Sequence, residues 1–145
     1  MKGIKKMKIE IELEPHELSE ELKVAIDFEE TMQEICEWNK KTFPDATLGG
    51  QFEKLEEETG EFQKVLGKAL GKEEDPDLEE FADVFIVLAG LRRFGSKVGA
   101  FIQNSHLENM PFEVKKRLLQ AIKKKMAINR KRKWKKLGQG VFRHK

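Results

Sequence analysis

The sequence predicts an all-α protein, an antiparallel bundle of four to five helices preceded by a short N-terminal strand or arm, and three observations carry that expectation. Apolar residues recur at helical spacing in several successive stretches. One of them, Leu78 to Leu91, is apolar all round beyond Asp83, as a helix is when others bury it. The stretch linking it to the preceding helical pattern, Gly67 to Pro76, is short enough to make the two antiparallel neighbours.

Length and composition bound the rest. With 145 residues, 39% hydrophobic and 37% charged, the chain can bury one core and not two. We divide it into an arm, residues 1–15, and one helical domain, residues 16–145. The formal net charge is only +2, so global charge dictates no polyanionic partner; acid is concentrated in the middle and base toward the C-terminus. A single cysteine, Cys36, excludes an internal disulfide framework and fits a reducing, cytoplasmic setting. Without a base partner it is read as a core or helix-face residue. No run of apolar residues is long enough to span a membrane. The basic start, Met1 to Lys8, lacks the apolar region of a signal peptide.

In chain order, Ile9, Ile11 and Leu13 alternate with charged residues, which is strand spacing with no partner strand in view. From Pro15 to Phe43 the spacing turns helical, with Asp27-x-x-Glu30 reading as a second N-terminal box and hence a break. Phe43-Pro44-Asp45 stops the helix, and Thr47 to Gly50 reads as a loop. Trp38 is more often a core aromatic than a base-stacking one.

The next helix, from Phe52 to Leu66, gathers Phe52, Leu55, Phe62 and Leu66 on one side. Glu57, Glu58 and Glu61 fall opposite them, within roughly a 100° arc. On the following helix Glu80 and Asp83, three apart, share a face. An unpaired carboxylate near the start of a buried helix costs several kcal/mol, on the order given by burial of an isolated charge. A divalent metal between the two faces would relieve it. Five carboxylates without His or Cys form an all-oxygen set suited to Mg²⁺ or Mn²⁺. Two plainer readings stand beside it: Glu56 to Glu58 as a solvated charge run, and Asp77-x-x-Glu80 as a capping box. The box accounts for Glu80 and leaves Asp83 unexplained.

Beyond the buried helix, Arg92, Arg93 and Gly95 supply ordinary helix-ending chemistry. A short helix is expected near Val98 to Ile102, with His106 at the surface. From Pro111 an amphipathic helix turns Phe112, Leu119, Ile122 and Met126 inward. On its other edge Lys125, Asn129 and Arg132 fall within roughly a 60° arc, a stripe of donors that can hold polyphosphate. Nine of the fourteen residues from Lys123 to Lys136 are Lys or Arg, so the alternative is a solvated basic tail or a nucleic-acid-binding helix.

Taken together, Glu57-Glu58-Thr-Gly-Glu61 followed by Glu79-Glu80-Phe-Ala-Asp83 resembles the paired acidic motif of the MazG-like superfamily, the all-α nucleoside triphosphate pyrophosphohydrolases. Trp38, Phe43-Pro44-Asp45, and Lys125-x-x-x-Asn129-x-x-Arg132-x-Trp134 with His144 extend the likeness, in the order seen in the phage and bacterial dATP/dGTP branch. It spans Phe28 to His144; residues 97 to 108 match no motif of it. The resemblance implies a Mg²⁺-dependent enzyme, with Mn²⁺ as a substitute, that splits a nucleoside triphosphate, a purine deoxynucleotide for preference, into monophosphate and pyrophosphate. It makes Glu58, Glu61, Glu80 and Asp83 the metal ligands, Glu57, Glu58 and Glu61 the catalytic carboxylates, and Lys125, Asn129 and Arg132 the substrate clamp. Trp38, Asn39, Lys54 and His144 join the substrate-binding residues. It also implies a homodimer or homotetramer. A nucleic-acid-binding module resting on residues 123–136 is the runner-up and leaves the acidic pair unexplained. A ferritin-like di-iron bundle fails because neither acidic pair carries His at i+3.

Overall fold

In the computed structural model, which describes residues 19–136 and 142–144, five α-helices are followed by a small antiparallel strand pair. They are α1 (Glu20–Thr42), α2 (Leu48–Lys72), α3 (Glu79–Leu91), α4 (Lys97–Glu108) and α5 (Phe112–Asn129), with a 3₁₀ turn at Arg92–Phe94 after α3. The strands are β1 (Trp134–Lys136) and β2 (Phe142–His144), with Trp134 opposite His144. The expected arm, residues 1–15, with its alternating segment, lies outside the described residues.

Everything is arranged around α3. From Val84 to Leu91 every residue is buried, and the helix packs against α1, α2, α4 and α5. Its all-round apolar sequence requires this, because each Val, Leu, Ile or Phe side chain in it contributes about 1.5–3 kcal/mol on leaving water. Phe85 sits fully buried among Met32, Ile35, Leu118 and Ile122, and meets Phe28 and Phe81 edge-on at 5.7 and 5.1 Å. Phe81 in turn stacks on Phe62 of α2 at 4.4 Å. Phe85→Ala would cost about 3–5 kcal/mol.

The helix ends depart from the sequence expectation more than the core does. α1 runs unbroken through Asp27, capped by Ser19, whose hydroxyl accepts from Leu22 N at 3.1 Å. Asp27 is no cap; it accepts from Lys123 Nζ at 2.7 Å. Thr47 caps α2 by accepting from Gly50 N at 3.0 Å, so Thr47 to Gly50 is a helix start rather than a loop. α2 then continues through Gly67 and Gly71 to Lys72, ending at Glu73 in the left-handed conformation (φ 56°). Helix-interior glycines cost about 1 kcal/mol each, and the burial of Ala69 helps to offset them. Asp77 Oδ1 accepts from Glu79 N at 2.8 Å, which satisfies a helix-start donor without engaging Glu80. α4 is longer than the expected short helix and is capped by Ser96. His106 on it is exposed, yet its ring meets Phe81 edge-on at 5.2 Å, and burial of part of the ring lowers its pKa.

Candidate active site

The hairpin of α2 and α3 brings the two acidic patterns to the same end of the bundle. Carboxylate oxygens of Glu58, Glu80 and Asp83 lie within 4.8 Å of one another, all three residues half-buried. Their positions follow from spacing: Glu80 and Asp83 lie one turn apart on α3, and Glu58 faces them from α2. Glu61 is outside that group; its carboxylate is engaged by Lys64 at 3.4 Å, on the exposed side of α2. Glu57 is likewise outside it, next to Lys54 Nζ at 3.5 Å.

Like charges at this separation repel, and Asp83 registers the effect. Its pKa rises to about 6, first because burial disfavours the carboxylate and further because Glu58 and Glu80 are near; Lys125 opposes the rise. Two lysines offset the acid. Lys125 Nζ lies 3.3 Å from Asp83, and Lys54 Nζ lies 3.2 Å from Glu58.

Glu58 and Asp83 open onto a cleft of about 310 Å³. Lys54, Glu57, Glu58 and Asp83 line it together with Lys125, Asn129 and Arg132. Trp38, Asn39, Phe43, Gln51, Ile86, Val87 and Trp134 complete the lining. Arg132 reaches the cleft differently from what helical spacing suggests, because α5 ends at Asn129 and Arg132 lies in the turn beyond. Its Nη1 donates to Asn129 Oδ1 at 3.2 Å, which keeps the two together. Trp38, Phe43 and Trp134 meet edge-on in a triad, with ring centroids 5.1 to 6.1 Å apart. The backbone of His144 pairs with Trp134, and its side chain lies outside the described residues.

The basic stretch is not uniformly solvated. Lys123, Lys124 and Lys125 reach acids on three different positions, Asp27, Glu79 and Asp83. Cys36 is buried, and burial raises its pKa, which keeps it an unreactive thiol at neutral pH. Sequence reasoning missed Gln51, Ile86 and Val87 as cleft residues and dismissed Arg93, which turns out to grip the end of α1. A buried glutamine two residues ahead of Glu53 carries no spacing signal; a polar residue on the inner face of α2 was the available hint.

The arrangement is thus an all-α bundle with a carboxylate-lined cleft, faced by cations and edged by aromatic rings. No protein-family model and no curated protein matches the chain. Among solved structures it is similar to the cyanophage S-2L MazG-like pyrophosphohydrolase bound to dGDP and three catalytic Mn²⁺ ions per active site, with 30% identity over 81% of this chain and 96% of that one and a TM-score of 0.36. The identity over that length carries the assignment, and the superposition carries none of it: the chain belongs to the MazG-like pyrophosphohydrolase family. No described helix is long and apolar enough to cross a membrane.

Proposed function

We propose that this chain is a divalent-cation-dependent nucleoside triphosphate pyrophosphohydrolase, served by Mg²⁺ or Mn²⁺, that converts a purine deoxynucleoside triphosphate to its monophosphate and pyrophosphate. The observation that carries the reading is the cleft's mixed charge: Glu58 and Asp83, which cluster with Glu80, line it together with Lys54, Lys125 and Arg132. The donor set suits a hard cation, being all carboxylate oxygen, and a raised Asp83 marks a site where positive charge is wanted. Such an ion, when bound, supplies charge neutralisation of phosphate oxygens and an acidified water.

The chain's own groups do the rest. Glu58, Glu80 and Asp83 would hold the cation, and Glu61, one turn from Glu58 on α2, would join them if released by Lys64. Glu57 accepts the proton of the attacking water. Lys125 and Arg132 hold the β and γ phosphates by charge-assisted hydrogen bonds, with Asn129 and Lys54 beside them. Trp38 and Trp134 offer ring faces and edges to the base. With pyrophosphate the best-neutralised leaving group, attack falls on the α phosphorus. The protein acts in the cytoplasm as a homodimer or homotetramer, a second copy covering side chains such as Leu70 and Phe101, which are 79% and 71% exposed; sedimentation velocity measures this directly.

Hydrolysis of dGTP and dATP in ¹⁸O-labelled water tests the reading. Labelled monophosphate and unlabelled pyrophosphate are expected. Release of inorganic phosphate with a nucleoside diphosphate, or no hydrolysis of any triphosphate, would overturn it.

A further inference from the structure

A second cavity shares no lining residue with the cleft. α1 and α4 each pack on α3 but scarcely approach one another, and the space between them, extended by the turn into α5, holds about 420 Å³. Small-molecule sites run from roughly 300 to 1,000 Å³. The walls are mostly apolar: Val24 and Phe28 from α1, Leu107 from α4, and Met110 and Phe112 beyond it. The charges around it cancel. Glu29 accepts from both Nη atoms of Arg92 at 2.7 and 2.9 Å, and Glu21 and Lys115 add one charge of each sign.

One polar group there is left over. Gln103, 6% exposed, also lines the cavity, and its Oε1 accepts from Arg92 Nη2 at 3.3 Å. The oxygen and nitrogen of a carboxamide are commonly ambiguous, but a guanidinium has donors only, so the atom facing Arg92 is the oxygen. No acceptor among the described residues meets the Gln103 NH₂. Nor is it sealed in, since no partnerless side-chain nitrogen or oxygen among the described residues is cut off from solvent. An amide that is neither bonded nor enclosed, on a residue buried everywhere else, presents its NH₂ to the cavity that the residue lines. Donors in such places are ordinarily matched, and this one is open to whatever enters.

We propose that this cavity is a second ligand site, for an uncharged aromatic amide or lactam that offers its carbonyl oxygen to the Gln103 NH₂. The apolar body of such a ligand leaves water against Phe28, Met110 and Phe112, and a thioether beside two rings favours an aromatic one. A charged head gains nothing to offset its desolvation. A cation would meet a donor and the Arg92 guanidinium, an anion would meet the Glu29 carboxylate, and that pair already neutralises itself. A plain hydrocarbon would fill the space and leave the NH₂ without an acceptor. A neutral carbonyl avoids all three faults. The site stands apart from the nucleotide reading, because none of its residues belongs to the cleft.

Four compounds built on one ring separate these heads: benzamide, toluene, benzoate and benzamidinium. Protein labelled with [methyl-¹³C]methionine reports their binding at Met110, whose methyl resonance is assigned with Met110→Leu. Benzamide should shift that resonance saturably in the low-millimolar range, and benzoate and benzamidinium should bind about tenfold more weakly or worse. Gln103→Leu nearly keeps the volume and removes the donor, so toluene should still bind and benzamide should lose its advantage over it. Gln103→Glu keeps an oxygen for Arg92 and replaces the NH₂ with an acceptor, so the preference should move to benzamidinium. Melting temperatures read the fold of both variants separately. No saturable shift at Met110 with benzamide, tightest binding of benzoate by the parent, or the parent's order of preference in both Gln103 variants would overturn the site.

Discussion

Two cavities lie on different sides of the bundle, and each keeps partly buried charge in a different state. In one, of about 420 Å³, Glu29 accepts from both Nη atoms of Arg92 at 2.7 and 2.9 Å, and Gln103 Oε1 accepts from Nη2 at 3.3 Å. Acid and base match in number and geometry. At the cleft, Glu58 and Asp83 crowd with Glu80 within 4.8 Å, and Lys54 and Lys125 offset only part of their charge. A chain that needs only to neutralise a half-buried acid has the bidentate pair as its solution and uses it. Where it instead groups acids with acids, folding stability is given up for something that binds there.

The contrast breaks most visibly at Asp83. Asp83→Asn removes one like charge from the cluster and should lower triphosphate turnover by about 10²-fold or more, the scale for losing one preorganised electrostatic group. The metal-free variant should melt about 2–4 °C higher, as about 1 kcal/mol of relieved repulsion would give in a chain of this size. Turnover assays and calorimetry read the two effects, and a fall in both would make Asp83 a structural residue.

Arg92→Ala tests the paired side. Arg92 and its partner Glu29 are 22% and 31% exposed, so the loss should be about 1–3 kcal/mol in urea titrations, below that for a fully buried pair. Turnover per folded molecule should be unchanged. An activity loss without a stability loss would assign the second cavity a role in the reaction.

Proton linkage sharpens the same comparison. The folded-state pKa of Asp83, about 6, lies above its ordinary value of 3.8, so between those values the folded protein binds more protons than the unfolded one. The metal-free protein should therefore gain on the order of 1 kcal/mol from this group as pH falls from 7 to 5, where the unfolded chain is still ionised. Divalent cation affinity should weaken over the same window, as the proton competes. Urea titrations in EDTA at pH 7, 6 and 5 measure the gain, and Asp83→Asn should abolish it.

The smallest effect belongs to Lys123, whose 2.7 Å bond to Asp27 joins side chains that are 49% and 47% exposed. Lys123→Ala should change stability by less than about 0.5 kcal/mol. A larger loss would mean that the basic helix is anchored by its surface pairs.

Much of this was legible in the chain because it is written locally. The apolar run after Asp83 could only be a buried helix, and the three-residue step from Glu80 to Asp83 fixes their common face whatever surrounds them. The turn at Arg132 escaped because helical periodicity carries no mark for where α5 stops, and a side-chain bond to Asn129 restores the proximity that spacing alone suggested. Glu61 illustrates the limit of face arguments: the helix puts it near Glu58, but Lys64 on the same helix competes for its carboxylate. Arg93 with Asn39 and Phe43, and Trp134 with Trp38 and Phe43, join residues about 50 to 95 positions apart, and pairings of that range depend on how the helices dock.

The central claim is that Glu58, Glu80 and Asp83 hold a divalent cation, and Mn²⁺ titration followed by electron paramagnetic resonance of the free ion tests it without substrate. The parent should take up Mn²⁺ stoichiometrically at pH 7.5, Glu58→Gln and Asp83→Asn should lose that uptake, and Lys123→Ala should keep it. Equal Mn²⁺ uptake by the parent and both carboxylate variants would contradict the account.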